Sequence, residues 1–280
     1  MNRDCLGVTS PPFEMTVERG KIREFARATF TDHPDFLEGR SSPPTFLTTC
    51  FHWLTPEADL VSRLELDTDI AVQLQQDFIF HREPPPAGTK LIVVASVEEM
   101  YDKESRQGRL ECVAIVTQFG DLAGEPVATA RMLAAEVHRR GGGIDATHNT
   151  GVVARDSASG DLTVGPITMT DIVRYAGASG DFTPVHHDVE FCRRAGIKGP
   201  FAMGMLSGGA IGSWLVKEVV PATVRSISVR FGRQVWPGDV LTVHGVRDAN
   251  QFDIRCTSQD GHVVTSAKAT VSQLEGCQDD

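Results

Sequence analysis

One order of elements runs through this chain twice, and that duplication constrains the fold more than any single residue does. The first copy opens with VERGKIREFARATF (residues 17–30), where Ile22, Phe25 and Ala26 recur at helical spacing. The second opens with TMTDIVRYAGAS (168–179), with Thr168 or Thr170 as its N-cap. Each copy continues through a proline-containing loop, HPDF in one and DFTPVHH in the other. A segment for a longer helix follows: SSPPTFLTTCFHWL (41–54), with Pro43 and Pro44 at its start, and residues 201–219, stopped by Pro221. Four strand-like runs then close each copy. In the first they are DFIFHRE, TKLIVVASVEEMYD, GRLECVAIVTQFG and EPVATARMLAAEVH, separated by turn signals at 84–88 and at Gly120-Asp121; in the second, VRSISVRFGRQV, DVLTVHGVRD, FDIRCTSQD and HVVTSAKATVSQL. Aligning Phe25 with Tyr175 sets Pro34 opposite Pro184, and Phe80-His81-Arg82 resembles Phe231-Gly232-Arg233.

A long helix followed by an antiparallel meander wraps a sheet around that helix. Two such units side by side merge their sheets and cover the edges each would otherwise expose. The expected fold is α+β, with two long central helices, each wrapped by an antiparallel sheet, and the sheets joined. The stretch RRGGGIDATHNTGVVARDSASG (139–160) lacks periodicity and reads as a linker. The expected division is residues 1–140, a linker at 141–160, a second unit at 161–273 and a frayed tail at 274–280.

Composition excludes several classes. The chain has 280 residues, 41% hydrophobic and 23% charged, as globular proteins do. Lys and Arg total 27 against 37 for Asp and Glu, a net of −10, so no nucleic-acid partner is expected. No apolar run reaches 18 residues, so no membrane span is expected. The six cysteines (Cys5, Cys50, Cys112, Cys192, Cys256 and Cys277) form no C-x-x-C pair and read as reduced thiols, with the cytoplasm the expected compartment.

Chemistry concentrates in YAGASGDFTPVHHD (175–188). Asp181 and His186 stand five positions apart across Pro184, so both can face one water. The same string also reads as a plain turn, since Asp and Pro favour turns and Thr183 caps locally. At an offset of 150, Asp181 falls opposite Thr31 and His186 opposite Phe36, so the first half has no such pair. Hydrating the double bond of an enoyl thioester requires a base for the water and an acid for the α-carbon, and a carboxylate with an imidazole supplies both. The thioester oxygen gains charge as the enolate forms, and a backbone N–H at a helix start answers it. Gly204, in GPFAMGML, opens such a helix, and its missing side chain permits close approach. Gly208 and Gly212 follow at intervals of four and read as packing. His186, His187 and Asp188 offer no complete ligand set, so no metal is expected. There is no G-x-S-x-G elbow and no glycine-rich phosphate loop.

With SGDFTPVHHD and then GPFAMGML, the chain resembles the MaoC-like dehydratases, or (R)-specific enoyl-CoA hydratases, whose usual pattern is S-G-D-x-N-P-x-H-x-D followed by I-A-H-G-M. The first half, with PPTF and the FHREPPPAG turn, is similar to that family's degenerate N-terminal module. The resemblance implies a double hotdog fold and reversible syn hydration of trans-2-enoyl thioesters. Asp181 and His186 would hold and activate the water, the N–H of Gly204 would be the oxyanion donor, and the first half would line an acyl tunnel roomy enough for bulky chains. It implies no cofactor beyond coenzyme A or acyl carrier protein as part of the substrate, and it suggests a homodimer. Two departures stand out: Thr183 replaces Asn, losing an amide that helps hold the loop, and Met203 replaces a His near the mouth. A hotdog thioesterase and a non-catalytic acyl-thioester binder are the rival readings. Arg193, Arg194, Lys198, Arg230 and Arg233 are candidates for coenzyme phosphates, though each also reads as solvated surface.

Overall fold

A computed structural model describes residues 1–105, 108–139, 160–219 and 222–272. The linker expected at 141–160 lies outside them apart from Gly160, as do Pro221 and the tail at 274–280. The first half contributes β1 (Phe13–Thr16), α1 (Arg19–Ala28), α2 (Pro34–Glu38), a 3-10 helix (Phe46–Trp53), α3 (Leu60–Arg63), β2 (Ala71–Phe80), β3 (Lys90–Ser105), β4 (Gly108–Gly120) and β5 (Pro126–Arg139). The second contributes β6 (Leu162–Val164), α4 (Met169–Ser179), a short 3-10 turn (Pro184–His186), α5 (Val189–Arg194), α6 (Gly204–Val219), β7 (Val224–Phe231), β8 (Leu241–Asp248), β9 (Gln251–Ser258) and β10 (Val263–Val271).

All ten strands form one sheet, ordered β1-β3-β4-β5-β2-β7-β10-β9-β8-β6, with every pairing antiparallel. The halves join where β2 meets β7, from Gln75 opposite Arg230 to Ile79 opposite Ser226. The eight strand-like runs are all strands. The edge strands β1 and β6 had too few residues to stand out in the sequence. Both inner edges are thereby consumed, as the joined-sheet expectation required.

The duplication is visible in atomic detail. Thr29 Oγ1 donates to Phe25 O at 2.9 Å, and Ser179 Oγ to Tyr175 O at 2.8 Å. The N–H groups of His81 and Arg82 both donate to Val127 O, and those of Gly232 and Arg233 both donate to Val264 O. Phe25 and Tyr175, equivalent by the alignment, pack on one another with ring centroids 5.9 Å apart. Helix α1 therefore packs on α4 through equivalent residues.

The expectation of two long central helices is corrected. The second half has one, α6, but the corresponding segment of the first half winds only as the eight-residue 3-10 helix Phe46–Trp53. Pro44 and Pro56 bracket that segment, and a residue preceding proline is turned away from helical backbone. Helix α6 sits almost wholly buried, with Leu206, Ile211, Trp214 and Leu215 all at 1% exposure or less. Its small residues divide between two neighbours. Gly208 faces Val229 of the sheet, 3.2 Å from where a Cβ would lie. Gly209 faces the first half so closely that its Cβ would fall 2.3 Å from Thr29 Cγ2, while Gly212 faces Thr45. Ser213 Oγ ties the same face down by donating to Thr29 O at 2.6 Å. The first half thus covers, on one side, the helix that opens at the candidate site. Among the described residues no helix is long and apolar enough to cross a membrane.

Candidate active site

Helix α4 starts on a capping box, in which Thr168 and Asp171 each satisfy the other's backbone N–H. It ends at Gly180, whose φ of +85° turns the chain sharply. A Cβ there would meet the first half in van der Waals contact, with His52 Nε2 and Phe51 Cβ each 3.4 Å away. The turn delivers Asp181. Its Oδ1 accepts from the Thr183 N–H at 3.1 Å and the Thr183 hydroxyl at 2.7 Å, and its own N–H donates to Ser179 Oγ at 3.2 Å. The hydroxyl of Thr183 therefore does the holding assigned to an Asn in the resemblance.

His186 follows on the 3-10 turn Pro184–His186 and is buried, at 9% exposure. Its Nδ1 lies 2.7 Å from Phe201 O. A carbonyl only accepts, so Nδ1 carries the proton and Nε2 of the neutral ring presents a lone pair. That Nε2 faces Asp181 Oδ2 at 3.8 Å. The gap is too long for a direct hydrogen bond, yet each atom can touch the same water. Burial lowers the His186 pKa below its ordinary value, and the Asp181 charge and the Phe201 carbonyl push back less strongly. The imidazole is thus neutral at pH 7, the form that accepts a proton. Asp181 is half-exposed, so the pair opens to solvent on the carboxylate side.

Phe201 links the pair to the third expected group, since only Ala202 and Met203 separate it from Gly204, the first residue of α6. The N–H of Gly204 is among those a helix leaves without an internal acceptor. A Cβ on Gly204 would lie 2.8 Å from Phe231 Cδ1, so the ring of Phe231 fills the space where a side chain would go. Met203, expected near the mouth, is instead buried in the core at 2% exposure. His187 is exposed, and Asp188 accepts from the Phe191 N–H at 3.0 Å to cap α5.

Sequence reasoning missed Ser179, Phe201, Phe51 and Phe231. Phe201 acts through its carbonyl, so no side-chain pattern could flag it. The match of Ser179 to Thr29 was there to be read. Lys198 lies over the ring of Trp236 at 3.8 Å, and Trp236 packs on Phe201. Arg193 pairs with Glu190 at 2.8 Å. Cys192 and Cys50 are not poised as nucleophiles: burial raises Cys192, and desolvation pushes Cys50 up to about 12. Glu111, Glu136 and His138 come close enough to one another to hold a metal, but Glu111 already meets Arg109 at 2.8 Å and Glu136 the terminal ammonium of Met1 at 3.2 Å.

A cavity of about 60 Å³ lies in the first half, between the 3-10 helix Phe46–Trp53 and the inner face of β2–β5. Neither Asp181 nor His186 lines it. Phe51 does, and Phe51 also abuts Gly180, so the cavity and the Asp181 loop share a wall. It is under half the roughly 150 Å³ that admits benzene.

A joined sheet wrapped around a central helix, with an Asp-His loop at that helix's start, defines a double hotdog protein. Two family models divide the chain between them: the MaoC like domain matches residues 160–271, and the FAS1-like dehydratase domain region matches residues 4–130. The chain belongs to the MaoC-like dehydratase family. It is 29% identical over 168 residues to 3-hydroxyacyl-thioester dehydratase Y of Mycobacterium tuberculosis, covering 57% of this chain and 56% of that one. It is 30% identical over 141 residues to a UPF0336 protein of Streptomyces griseus, covering 46% of this chain and 91% of that one. The chain thus spans little more than half the length of the first of these relatives. Among solved structures, a MaoC-like dehydratase from Phytophthora capsici superposes with a TM-score of 0.79 at 17% identity, covering 99% of this chain and 100% of that one. A double hotdog protein of Mycobacterium tuberculosis superposes at 0.63 with 13% identity, covering 96% of each chain.

Proposed function

We propose that this protein reversibly hydrates trans-2-enoyl thioesters to 3-hydroxyacyl thioesters. One observation carries the reading: Asp181 Oδ2 and His186 Nε2 face each other at 3.8 Å, while the other polar atom of each side chain is already bound. A water between them has its proton drawn by one partner as its oxygen attacks the β-carbon. The α-carbon then takes that proton from the same partner, on the same face, which returns the pair to its starting state. Charge gathering on the thioester oxygen is met by the N–H of Gly204 at the start of α6. Dehydration reverses each step. The (R) hand of the product follows from the family resemblance, and the mycobacterial relative's name speaks for the chemistry.

In this reading residues 161–273 form the catalytic module and residues 1–140 the acyl-binding half, with Thr183 holding Asp181. Coenzyme A or acyl carrier protein arrives as part of the substrate, no further cofactor is used, and the protein works in the cytoplasm as a homodimer. Arg193, Arg194, Lys198, Arg230 and Arg233 are the candidate cations for coenzyme phosphates. Crotonyl-CoA tests the central claim. Loss of its enoyl absorbance without release of thiol supports hydration; thiol release points to a thioesterase; binding without either points to a non-catalytic carrier.

A further inference from the structure

We propose that the cavity of the first half receives the far end of an acyl chain bearing a hydroxyl group, and that Gln76 selects it; this rests on the hydratase reading for the thioester end. On β2 the inward positions are Gln76, Phe78 and Phe80, exposed by 6%, 1% and 4%. The strand's alternation calls for an apolar residue at 76, and burying an amide there is costly unless it is satisfied. Its cross-strand neighbours give it no polar purpose, since Gln76 stands opposite Met132 on β5 and Val229 on β7. Its donors are both taken up, and its oxygen has one acceptor site left over. Oε1 accepts from Gln73 Nε2 at 3.0 Å, while Nε2 reaches the carbonyls of Asp77 and Arg131 only at 3.3 Å each. Oε1 keeps a second lone pair, which suits a donor.

The neighbouring row of the sheet supplies depth. Ala95, Thr117 and Ala130 stand side by side in register across β3, β4 and β5, and these small side chains form part of the cavity floor. Thr117 adds a second hydroxyl-compatible group. The charge of the wall decides which polar chain fits. Asp59 lines the cavity, and among the described residues no Lys or Arg does. A carboxylate-ended chain is therefore disfavoured, whereas a hydroxyl is neutral, can donate to Gln76 and can accept from Thr117.

Calorimetric titration of the wild-type protein with decanoyl-CoA, and with decanoyl-CoAs hydroxylated one carbon at a time along the outer half of the chain, tests this. These saturated thioesters cannot be hydrated, so binding is read apart from turnover. One hydroxylated isomer is expected to bind about three- to tenfold tighter than decanoyl-CoA. Gln76→Leu is expected to abolish that advantage, and Thr117→Val to trim it. Decanoyl-CoA binding as tightly as every hydroxylated isomer in the wild type overturns the proposal, whatever the variants do. Wild-type turnover of crotonyl-CoA, whose chain ends one carbon past the double bond, reports separately on the hydratase reading.

Discussion

Thr31 and Asp181 occupy the same place in the two halves and make the same turn. The Thr31 hydroxyl accepts from the His33 N–H at 3.3 Å, as the Asp181 carboxylate accepts from the Thr183 N–H at 3.1 Å. Pro34 and Pro184 then each start a short helical turn, and Phe36 stands where His186 stands. The backbone of the loop was kept in both halves while its chemistry was kept in one. The central helices diverge alongside: α6 is intact in the half with the pair, and its counterpart is a 3-10 segment above a cavity in the half without. The first half buttresses instead, through Thr29 against Gly209 and through Phe51 and His52 against Gly180.

The largest effect should come from erasing the difference between the two loops. Asp181→Asn and His186→Gln are each expected to cut crotonyl-CoA turnover by a factor of about a hundred or more, as loss of a general acid or base commonly does. Thr31→Ala, which touches the matching turn of the first half, should leave turnover within a few-fold. Steady-state kinetics on the three variants decides the matter, and equal losses in all three would remove the assignment of roles.

Next comes the contact between the halves. Gly209→Ala puts a methyl 2.3 Å from Thr29 Cγ2. Overpacking of this sort costs about 1–3 kcal/mol. Adding Thr29→Ser removes that Cγ2 while keeping the hydroxyl's bond to Phe25 O, so the double variant should recover part of the loss. Urea melts of the four proteins in the cycle check it. Strictly additive losses would mean that the buttress does not depend on this contact.

Much of this comparison was legible in the sequence, for reasons that also explain the gaps. Eight strands and the α1/α4 match were readable because period and order are local properties. Asp181, His186 and Thr183 were readable because they sit within one short string. The 3-10 winding of residues 46–53 was not, since Pro43 and Pro44 promised a helix start while Pro56 limits the segment from its far end. The packing of Phe231 on Gly204 and of Thr29 on Gly209 depends on residues far apart in the chain, which one sequence cannot pair. Met203 illustrates the limit: its place beside Gly204 suggested the mouth, while the chain just ahead of α6 turns it into the core.

Thr183 sharpens the comparison at smaller cost. Thr183→Val keeps the shape and the N–H but removes the hydroxyl that donates to Asp181 Oδ1 at 2.7 Å. A hydrogen bond to a charged group contributes about 1.5–3 kcal/mol. Because the backbone N–H still holds the carboxylate, the expected loss in kcat is nearer tenfold, with KM little changed. Thr183→Asn, which restores a second donor, should recover most of it. Unchanged kcat in the Val variant would mean the backbone alone fixes Asp181.

The smallest and most direct test concerns His186 itself. Burial lowers its pKa, and the Asp181 charge is the largest influence opposing that shift. Asp181→Asn removes the opposing charge, so the His186 pKa should fall further, which an NMR titration of the ring can follow without any turnover. The sign carries into the wild type. Because the folded-state pKa lies below that of the unfolded chain, the neutral ring's contribution to stability is fully present above the ordinary histidine value. It is lost as pH falls through the folded-state value. Turnover should decline over the same acid window, since only the neutral Nε2 accepts a proton. A His186 pKa that rises in the Asn variant would show that the carboxylate does not face the ring in solution.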